Sequence, residues 1–157
     1  MEFKDFISLV KKVEKENPIL FELNSDRIAS DNDINQIENY YCLKLPESYK
    51  LFLKEYGGGY FAYTVVYSCD TNGKFFVKKN VTKEWVDKYH LFPVIDFETG
   101  DLGVFKVDNR MCEDLVYVFV HGEDNLKKYG NDNFLQALVK YGLKLYQWDS
   151  VRIFVFV

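Results

Sequence analysis

Acidic side chains in the second half of the chain are the residues best suited to chemistry. They stand at Asp96, Glu98, Asp101, Glu113, Asp114, Glu123 and Asp124. Asp96 and Glu98 are two apart in a predicted strand, so we expect both on one face, opposite Ile95 and Phe97. Paired carboxylates can transfer protons or hold Mg²⁺, although none of these has the spacing of a calcium loop. The same residues also fit two other interpretations: solvated loop acids, or an acidic surface that meets a basic partner.

Histidines and cysteines add little to a catalytic interpretation. His90 and His121 stand at the ends of predicted elements, and neither has a His or Cys at metal-ligand spacing. Cys42, Cys69 and Cys112 are odd in number and far apart, which is typical of reduced, buried thiols rather than of a disulfide framework. We therefore predict no catalytic residues, no metal and no cofactor. A carboxylate enzyme is the remaining catalytic alternative, and it predicts a deep pocket with raised acid pKa values.

The composition favours a folded protein that binds neither nucleic acid nor membrane. Of 157 residues, 48% are hydrophobic, which is enough to bury one core. The net charge is −4, and Lys and Arg form no dense cluster for a phosphate backbone. The stretch MEFKDFISLVKKVEKE mixes charges with apolar positions, so it predicts neither a signal peptide nor a membrane span. We expect a single domain over residues 1–157, located in the cytoplasm.

The first third of the chain predicts three amphipathic helices, of which the first ends before Pro18 and the third ends at Gly57. The first carries an apolar stripe at Phe3, Phe6, Ile7, Val10 and Val13. The second begins at Ser30 or Asp31 and turns Ile34, Ile37 and Tyr41 inward. The third begins at Pro46, buries Tyr49, Phe52, Leu53 and Tyr56, and is capped by Gly57.

The rest of the chain alternates aromatic and β-branched residues, which is typical of strands. The predicted strands are YFAYTVVYS from Tyr60, LFPVIDFE from Leu91, LGVFKV from Leu102, LVYVFV from Leu115 and VRIFVFV at the C-terminus. ETGD at 98–101 predicts a hairpin turn, and TNGK at 71–74 a tight turn. Shorter helices are predicted near 82–89 and 132–141. The sequence therefore predicts an α+β fold, an antiparallel or mixed sheet flanked by helices. VRIFVFV fits either a buried strand or an edge that pairs with another chain.

Three consecutive glycines, Gly57, Gly58 and Gly59, follow the third helix. A glycine run in this place cannot present helix N-terminal amides to a phosphate, and no Lys-Ser or Lys-Thr follows it. The favoured interpretation is that the glycines let the chain turn sharply from helix to strand.

The stretch INQIENYYCLKLPESYKLFLKEYGGG resembles the signature of the SUKH superfamily, in the branch named for a yeast cell-wall synthesis regulator. The matching residues are Ile37, Glu38, Leu45, Pro46, Tyr49, Phe52, Leu53, Gly57, Gly58 and Gly59. Weaker similarity continues through LFPVIDFETGDLGVFKVD, LVYVFVHGED and the late helix. The chain has Gly57 where members often have Asn, and Cys42-Leu43 where they often have a Gly shortly before Leu-Pro.

The resemblance implies a binding function on an α+β fold. Bacterial members are mostly immunity proteins, each of which binds a cognate toxin, often a nuclease, inside the producing cell. For this chain it implies a non-catalytic protein that neutralises a toxin with a basic C-terminal toxin domain, as a monomer or weak homodimer. A regulatory protein-interaction scaffold, as in the yeast relatives, is the alternative.

Three aromatic residues are candidate anchors for such a partner. Tyr60 and Tyr63 follow the glycines, and Trp85 lies on a short polar helix. Aromatic side chains ringed by polar groups are typical of protein interfaces. Each of the three equally fits the hydrophobic core.

Overall fold

The computed structural model describes residues 1–128 and 130–145. Within these ranges, six α-helices accompany an open, seven-stranded antiparallel sheet, so the predicted α+β fold is confirmed. The helices are α1 (Phe3–Glu16), α2 (Asp31–Tyr41), α3 (Glu47–Tyr56), α4 (Val77–Asn80), α5 (Lys83–Tyr89) and α6 (Phe134–Ala137). The strands are β1 (Gly59–Phe61), β2 (Thr64–Val66), β3 (Leu91–Asp96), β4 (Leu102–Asp108), β5 (Met111–Cys112), β6 (Tyr117–Val120) and β7 (Asn125–Lys127). A 3-10 helix (Pro18–Phe21) and a π-helical turn (Leu138–Gly142) complete the elements.

The first three helices form where the periodicity predicts them. α1 buries Phe6, Val10 and Val13 and ends before Pro18, as expected. Ser30 caps α2 in a reciprocal pair with Asp33, in which each side chain accepts the other residue's backbone N–H. α3 begins at Glu47, one residue later than predicted, because Pro46 has extended backbone angles and occupies the cap position.

The sheet runs in the order β1-β2-β3-β4-β6-β7, with β5 paired to the far end of β4. Its register places Val65 beside Asp96, Phe92 beside Phe105 and Gly103 beside Val118. Every one of these strand pairs is antiparallel, as the hairpin turn at 98–101 indicated. The strands therefore alternate in direction, which decides where their turns meet.

The stretch YFAYTVVYS is not the single strand that the sequence predicts. It forms two three-residue strands, β1 and β2, joined by a turn at Ala62 and Tyr63, with Phe61 beside Thr64. Ala62 has φ +48°, a backbone angle that propensity does not foresee in an alanine. The late helix divides into α6 and the π-helical turn that ends at Gly142. VRIFVFV lies outside the described residues, and the single domain over residues 1–157 stays a prediction.

The sheet has apolar side chains on both faces. Phe105 lies in the main core with residues of α1, α2, α3 and α6, whereas the adjacent Val104 lies in a second cluster. That second cluster contains Tyr117 and Phe119 and is covered by α5 through Trp85. None of the helices in residues 1–128 and 130–145 combines the length and apolarity that crossing a bilayer requires.

The three glycines serve a close approach of two chain segments. All three have positive φ, and a side chain on any of them would overlap the backbone of residues 24–27 or Ser68. The segment is held there by hydrogen bonds from the Asp26 N–H to the Gly58 oxygen, 2.9 Å, and from the Tyr60 N–H to the Asn24 oxygen, 3.1 Å. Gly57 ends α3 with φ +80° and ψ −53°, so the cap has the positive φ that favours glycine but not the predicted left-handed helical conformation.

Candidate protein-interaction surface

Three turns lie at one end of the sheet because consecutive strands run in opposite directions. They are residues 62–63 between β1 and β2, 97–101 between β3 and β4, and 121–124 between β6 and β7. The pairing of Val65 with Asp96 and of Leu102 with Phe119 sets the three turns side by side. We call this surface the turn end.

The turn end gathers five of the seven carboxylates that the sequence singled out. They are Asp96, Glu98, Asp101, Glu123 and Asp124. Three of them are exposed and the other two, Asp96 and Asp101, are half-buried, so the group forms an open surface. Residues 22 to 28 positions apart in the sequence thus share one patch, as an acidic interaction surface requires.

The expectation that Asp96 and Glu98 share one strand face is wrong. Asp96 is the last residue of β3, and Glu98 lies in the turn with φ +57°. The chain must reverse direction here to form β4, and the Glu98 N–H donates to Asp96 Oδ1 at 2.7 Å within that reversal. Asp96 therefore shapes the turn, and Glu98 is the carboxylate that the turn presents to solvent.

Hydrogen bonds connect the turns to one another and to β1. The Tyr60 hydroxyl donates to Glu98 Oε1 at 2.8 Å, and this bond raises the pKa of the Tyr60 phenol. Asp101 Oδ1 accepts the backbone N–H of His121 at 2.9 Å, which joins the second turn to the third. These bonds fix the relative positions of side chains that come from three separate hairpins.

The three candidate aromatic anchors lie in different surroundings. Tyr63 is at the tip of the first turn and its side chain is 45% exposed. Tyr60 is half-buried, with its ring 5.4 Å from that of Phe75. Trp85 is half-buried on the other side of the sheet, 5.2 Å from Phe119. The structure thus brings Tyr60 and Tyr63 to the turn end, and Trp85 packs on the second core cluster.

Glu113 and Asp114 do not join the turn end. They precede β6, whereas Glu123 and Asp124 follow it, so the length of the strand separates the two pairs. Asp114 Oδ1 accepts both the Ser48 hydroxyl, 2.8 Å, and the Phe134 N–H, 3.1 Å. Asp114 therefore ties α3 to α6, which is a structural role.

The thiols are free, and one of the three differs from expectation. Cys69 and Cys112 are buried, and burial raises the pKa of each thiol to about 12. Cys42 is exposed, because it ends α2 in a left-handed conformation that turns it away from the core. In the described part of the chain, no three His, Cys, Asp or Glu side chains are grouped closely enough to hold a metal ion.

Glu38, one of the signature residues, has a structural role: it connects two helices. Glu38 is 3% exposed, and its carboxylate accepts the Leu45 N–H at 2.9 Å and lies 3.0 Å from Lys44 Nζ and from Lys50 Nζ. Burial raises the pKa of Glu38, but the Leu45 N–H and the two lysines together lower it below its ordinary value. Glu38 thus joins α2 to the start of α3, which explains why the signature places it before Leu-Pro.

Two carboxylates outside the turn end, Asp33 and Glu38, have lowered pKa values and so stay ionised, whereas a general acid needs a raised pKa. The Arg27 guanidinium lies 3.0 Å from Asp33 Oδ2, and its hydrogen bond lowers the pKa of Asp33 to about 2. The pKa of Glu38 is also lowered. The enzyme alternative concerns Asp96, Glu98 and Asp101 instead, for which it predicts a deep pocket, whereas the turn end on which they lie is open.

A small pocket beside Tyr60 was missed by reasoning from the sequence. Its lining comes from α1, the 3-10 helix and the residues after it, α3 and β1. The aromatic residues Phe21, Tyr56 and Phe61 line it, and so does the acidic residue Glu14. No single motif contains these residues, and the only local signal is the helical position of Tyr56 one residue before the glycines.

Comparison with known proteins identifies one family. The family model described as SMI1-KNR4 cell-wall, of the SUKH group, matches residues 31–136, which run from the start of α2 into α6 and include the whole sheet of the described residues. No curated protein matches the chain.

Proposed function

Because this chain belongs to the SUKH superfamily, which is known for immunity proteins, we propose that it binds a cognate protein toxin and neutralises it without catalysis. The toxin is a protein with a basic surface, and a nuclease supplies such a surface in the groove that holds its nucleic acid. The protein acts in the cytoplasm of the cell that makes the toxin, as a monomer or weak homodimer.

The gathering of five carboxylates on the turn end is the observation that carries the proposal. Because Glu98, Glu123 and Asp124 are exposed, their field reaches a partner that is still in solution. Opposite charges on the two proteins raise the rate of productive encounter and disfavour acidic partners. An acidic surface of this kind is complementary to a basic groove.

The shape of the turn end also fits a binding surface. Tyr63 is exposed at the tip of the first turn, with Lys144 Nζ 5.8 Å from the centre of its ring. An exposed aromatic side chain with polar groups around it is a typical anchor. The turns are held by hydrogen bonds between Tyr60 and Glu98 and between Asp101 and His121. Little ordering is therefore needed when a partner binds.

The first experiment is a pull-down with this protein as bait in lysate of its host, followed by mass spectrometry. A single retained protein with a basic C-terminal toxin domain is the expected result. Its association rate is then measured at low and high salt for the parent and for Glu98→Lys/Glu123→Lys. We expect association at low salt to slow about tenfold or more and to depend less on salt.

A matched control separates the turn end from net charge. Asp108→Lys/Glu113→Lys makes the same charge change at exposed positions toward the opposite end of the sheet. It is expected to change the association rate about threefold at most. Equal effects of the two double variants, with melting temperatures intact, would remove the turn end from the interface.

The second candidate is a regulatory scaffold that binds a protein of its own cell. The family match to SMI1-KNR4 cell-wall proteins favours this alternative. Recovery of a cellular protein without a toxin domain, whose binding also weakens in the turn-end variant, would support the scaffold over the immunity protein.

A further inference from the structure

The pocket beside Tyr60 has room for one side chain. It encloses about 170 Å³, between α1, the 3-10 helix, α3 and β1. Phe52 and Phe61 at its base are buried, whereas Phe21, Tyr56 and Tyr60 are half-exposed around it. Pockets for cofactors and drug-sized molecules usually start near 300 Å³, so this one is too small for them.

Aromatic rings form most of its wall. The ring of Phe61 lies 5.8 Å from that of Phe21 at 80° and 5.6 Å from that of Tyr56 at 67°. Rings at such angles present both faces and edges to the space between them. The face of an aromatic ring attracts a cation, and several rings around one space strengthen that attraction.

The charges around the pocket favour a cation as well. Glu14 is a carboxylate residue of the lining, and among the residues that the structure describes the lining includes neither Lys nor Arg. Burial raises the pKa of the Tyr56 phenol to about 12, and the negative charges of Glu55 and Glu14 add to that effect. Burial, the larger cause, disfavours any charge there, but the negative charges of Glu55 and Glu14 would stabilise a positive group beside Tyr56.

The pocket is continuous with the turn end through Tyr60. Tyr60 is among the residues that line the pocket, and its hydroxyl donates to Glu98 on the turn end. A basic protein bound to the turn end would therefore also contact the pocket, because the two surfaces are adjacent at Tyr60.

We propose that the pocket takes one lysine or arginine side chain of the toxin, with its cation against the rings of Phe21 and Tyr56 and beside Glu14. The identity of the partner rests on the proposed function, but the preference for a cation belongs to the pocket itself. An aromatic pocket with one carboxylate gives an interface a central anchor, while the surrounding carboxylates steer the approach.

The preference is tested without any toxin, by titrating the whole protein with N-acetyl-argininamide and N-acetyl-lysinamide. The neutral controls of matched length are N-acetyl-citrullinamide and N-acetyl-norleucinamide. Amide signals of Gly58 and Tyr60 in NMR spectra report occupancy. We expect saturable shifts with the cations and binding at least about threefold weaker with the neutral controls.

Two glutamates on α1 provide a matched pair of variants. Glu14→Gln is expected to weaken binding of the cationic amides about threefold or more, whereas Glu16→Gln, exposed and outside the pocket, leaves it unchanged. Equal binding of norleucinamide and lysinamide, or no effect of Glu14→Gln, would overturn the inference.

With the captured toxin, Phe21→Leu removes an aromatic face but keeps an apolar side chain. It is expected to raise the dissociation rate about tenfold, while Phe3→Leu, on α1 outside the pocket, changes it little. If a toxin is captured and Phe21→Leu dissociates at the parent rate, the pocket inference fails and the proposed function stands. If no toxin is captured but the cationic amides bind, the preference of the pocket for a cation stands and the proposed function fails.

Discussion

Replacing Glu38 with glutamine removes a buried negative charge and keeps the shape of the side chain. In the parent, Oε1 accepts the Leu45 N–H at 2.9 Å and lies 3.0 Å from Lys50 Nζ, while Oε2 lies 3.0 Å from Lys44 Nζ. The glutamine oxygen can still accept from Leu45. What is lost is the attraction of both ammonium groups to a carboxylate, so the variant isolates the ionic part of the contact.

The magnitude follows from the exposure of the two lysines. Lys44 is 58% exposed, so its ammonium group returns to water and the loss is about 0.5 kcal/mol. Lys50 is 23% exposed, and a charged hydrogen bond in such a position contributes about 1.5 kcal/mol. The free energy of unfolding should therefore fall by about 2 kcal/mol, which for a chain of this length lowers the melting temperature by roughly 4–8 °C.

Urea unfolding of the parent and of Glu38→Gln at several pH values is the assay. Because the pKa of Glu38 is lowered in the folded protein, its stabilisation is complete above the unfolded pKa of 4.5 and is lost as pH falls through the folded pKa. The difference between the two proteins should be about 2 kcal/mol at neutral pH and shrink as the pH falls below 4.5. The low pKa of Asp33 affects both proteins equally, so it cancels in the difference.

Two results would refute this reasoning. One is a melting temperature of Glu38→Gln within about 1 °C of the parent at neutral pH, which would mean that burial of the carboxylate offsets the whole ionic contribution. The other is a stability difference that is constant down to acid pH, which would assign the loss to packing. Glu16→Gln, an exposed change of the same type, serves as the control.

Two further predictions test the glycine cap and the thiols. Gly57→Val should lower stability by about 3 kcal/mol or more, because positive φ is combined with overlap on the Arg27 backbone; Gly122→Val, with φ +77° and open space, should lose about 1–2 kcal/mol. Equal melting temperatures of the two would contradict the close approach. Alkylation of the folded protein at mildly alkaline pH should modify Cys42 alone, since the pKa of Cys69 and of Cys112 is raised to about 12 by burial; mass spectrometry showing two fast adducts would contradict it.

Local sequence patterns were sufficient for the helices and the order of elements. Apolar periodicity, the Ser30 cap and the Gly57 stop are properties of neighbouring residues, and α1, α2 and α3 begin and end within one residue or two of the predicted bounds. The prediction failed where tertiary contacts override propensity. Ala62 adopts φ +48° because β1 and β2 pair with each other, and propensity alone favours one continuous strand.

The candidate surface could be predicted only in part. The acidic residues and Tyr60 and Tyr63 were identified by type, but the separation of Glu113 and Asp114 from the others depends on the direction of β6. In the sequence, a tryptophan such as Trp85 looks the same whether it is an interface anchor or a core residue. Its contact with Phe119 in the structure places it in the second core cluster.

The sequence by itself determined the family, the α+β class, the helix boundaries and the acidic character of the chain, because each depends on residue types at short spacing. Only the tertiary structure decided which carboxylates share a surface, what the glycines approach and that Glu14, Phe21 and Tyr56 surround one pocket. The physical reason is that antiparallel pairing brings distant turns together at one end of a sheet, and the register that does so is set by packing of the whole core.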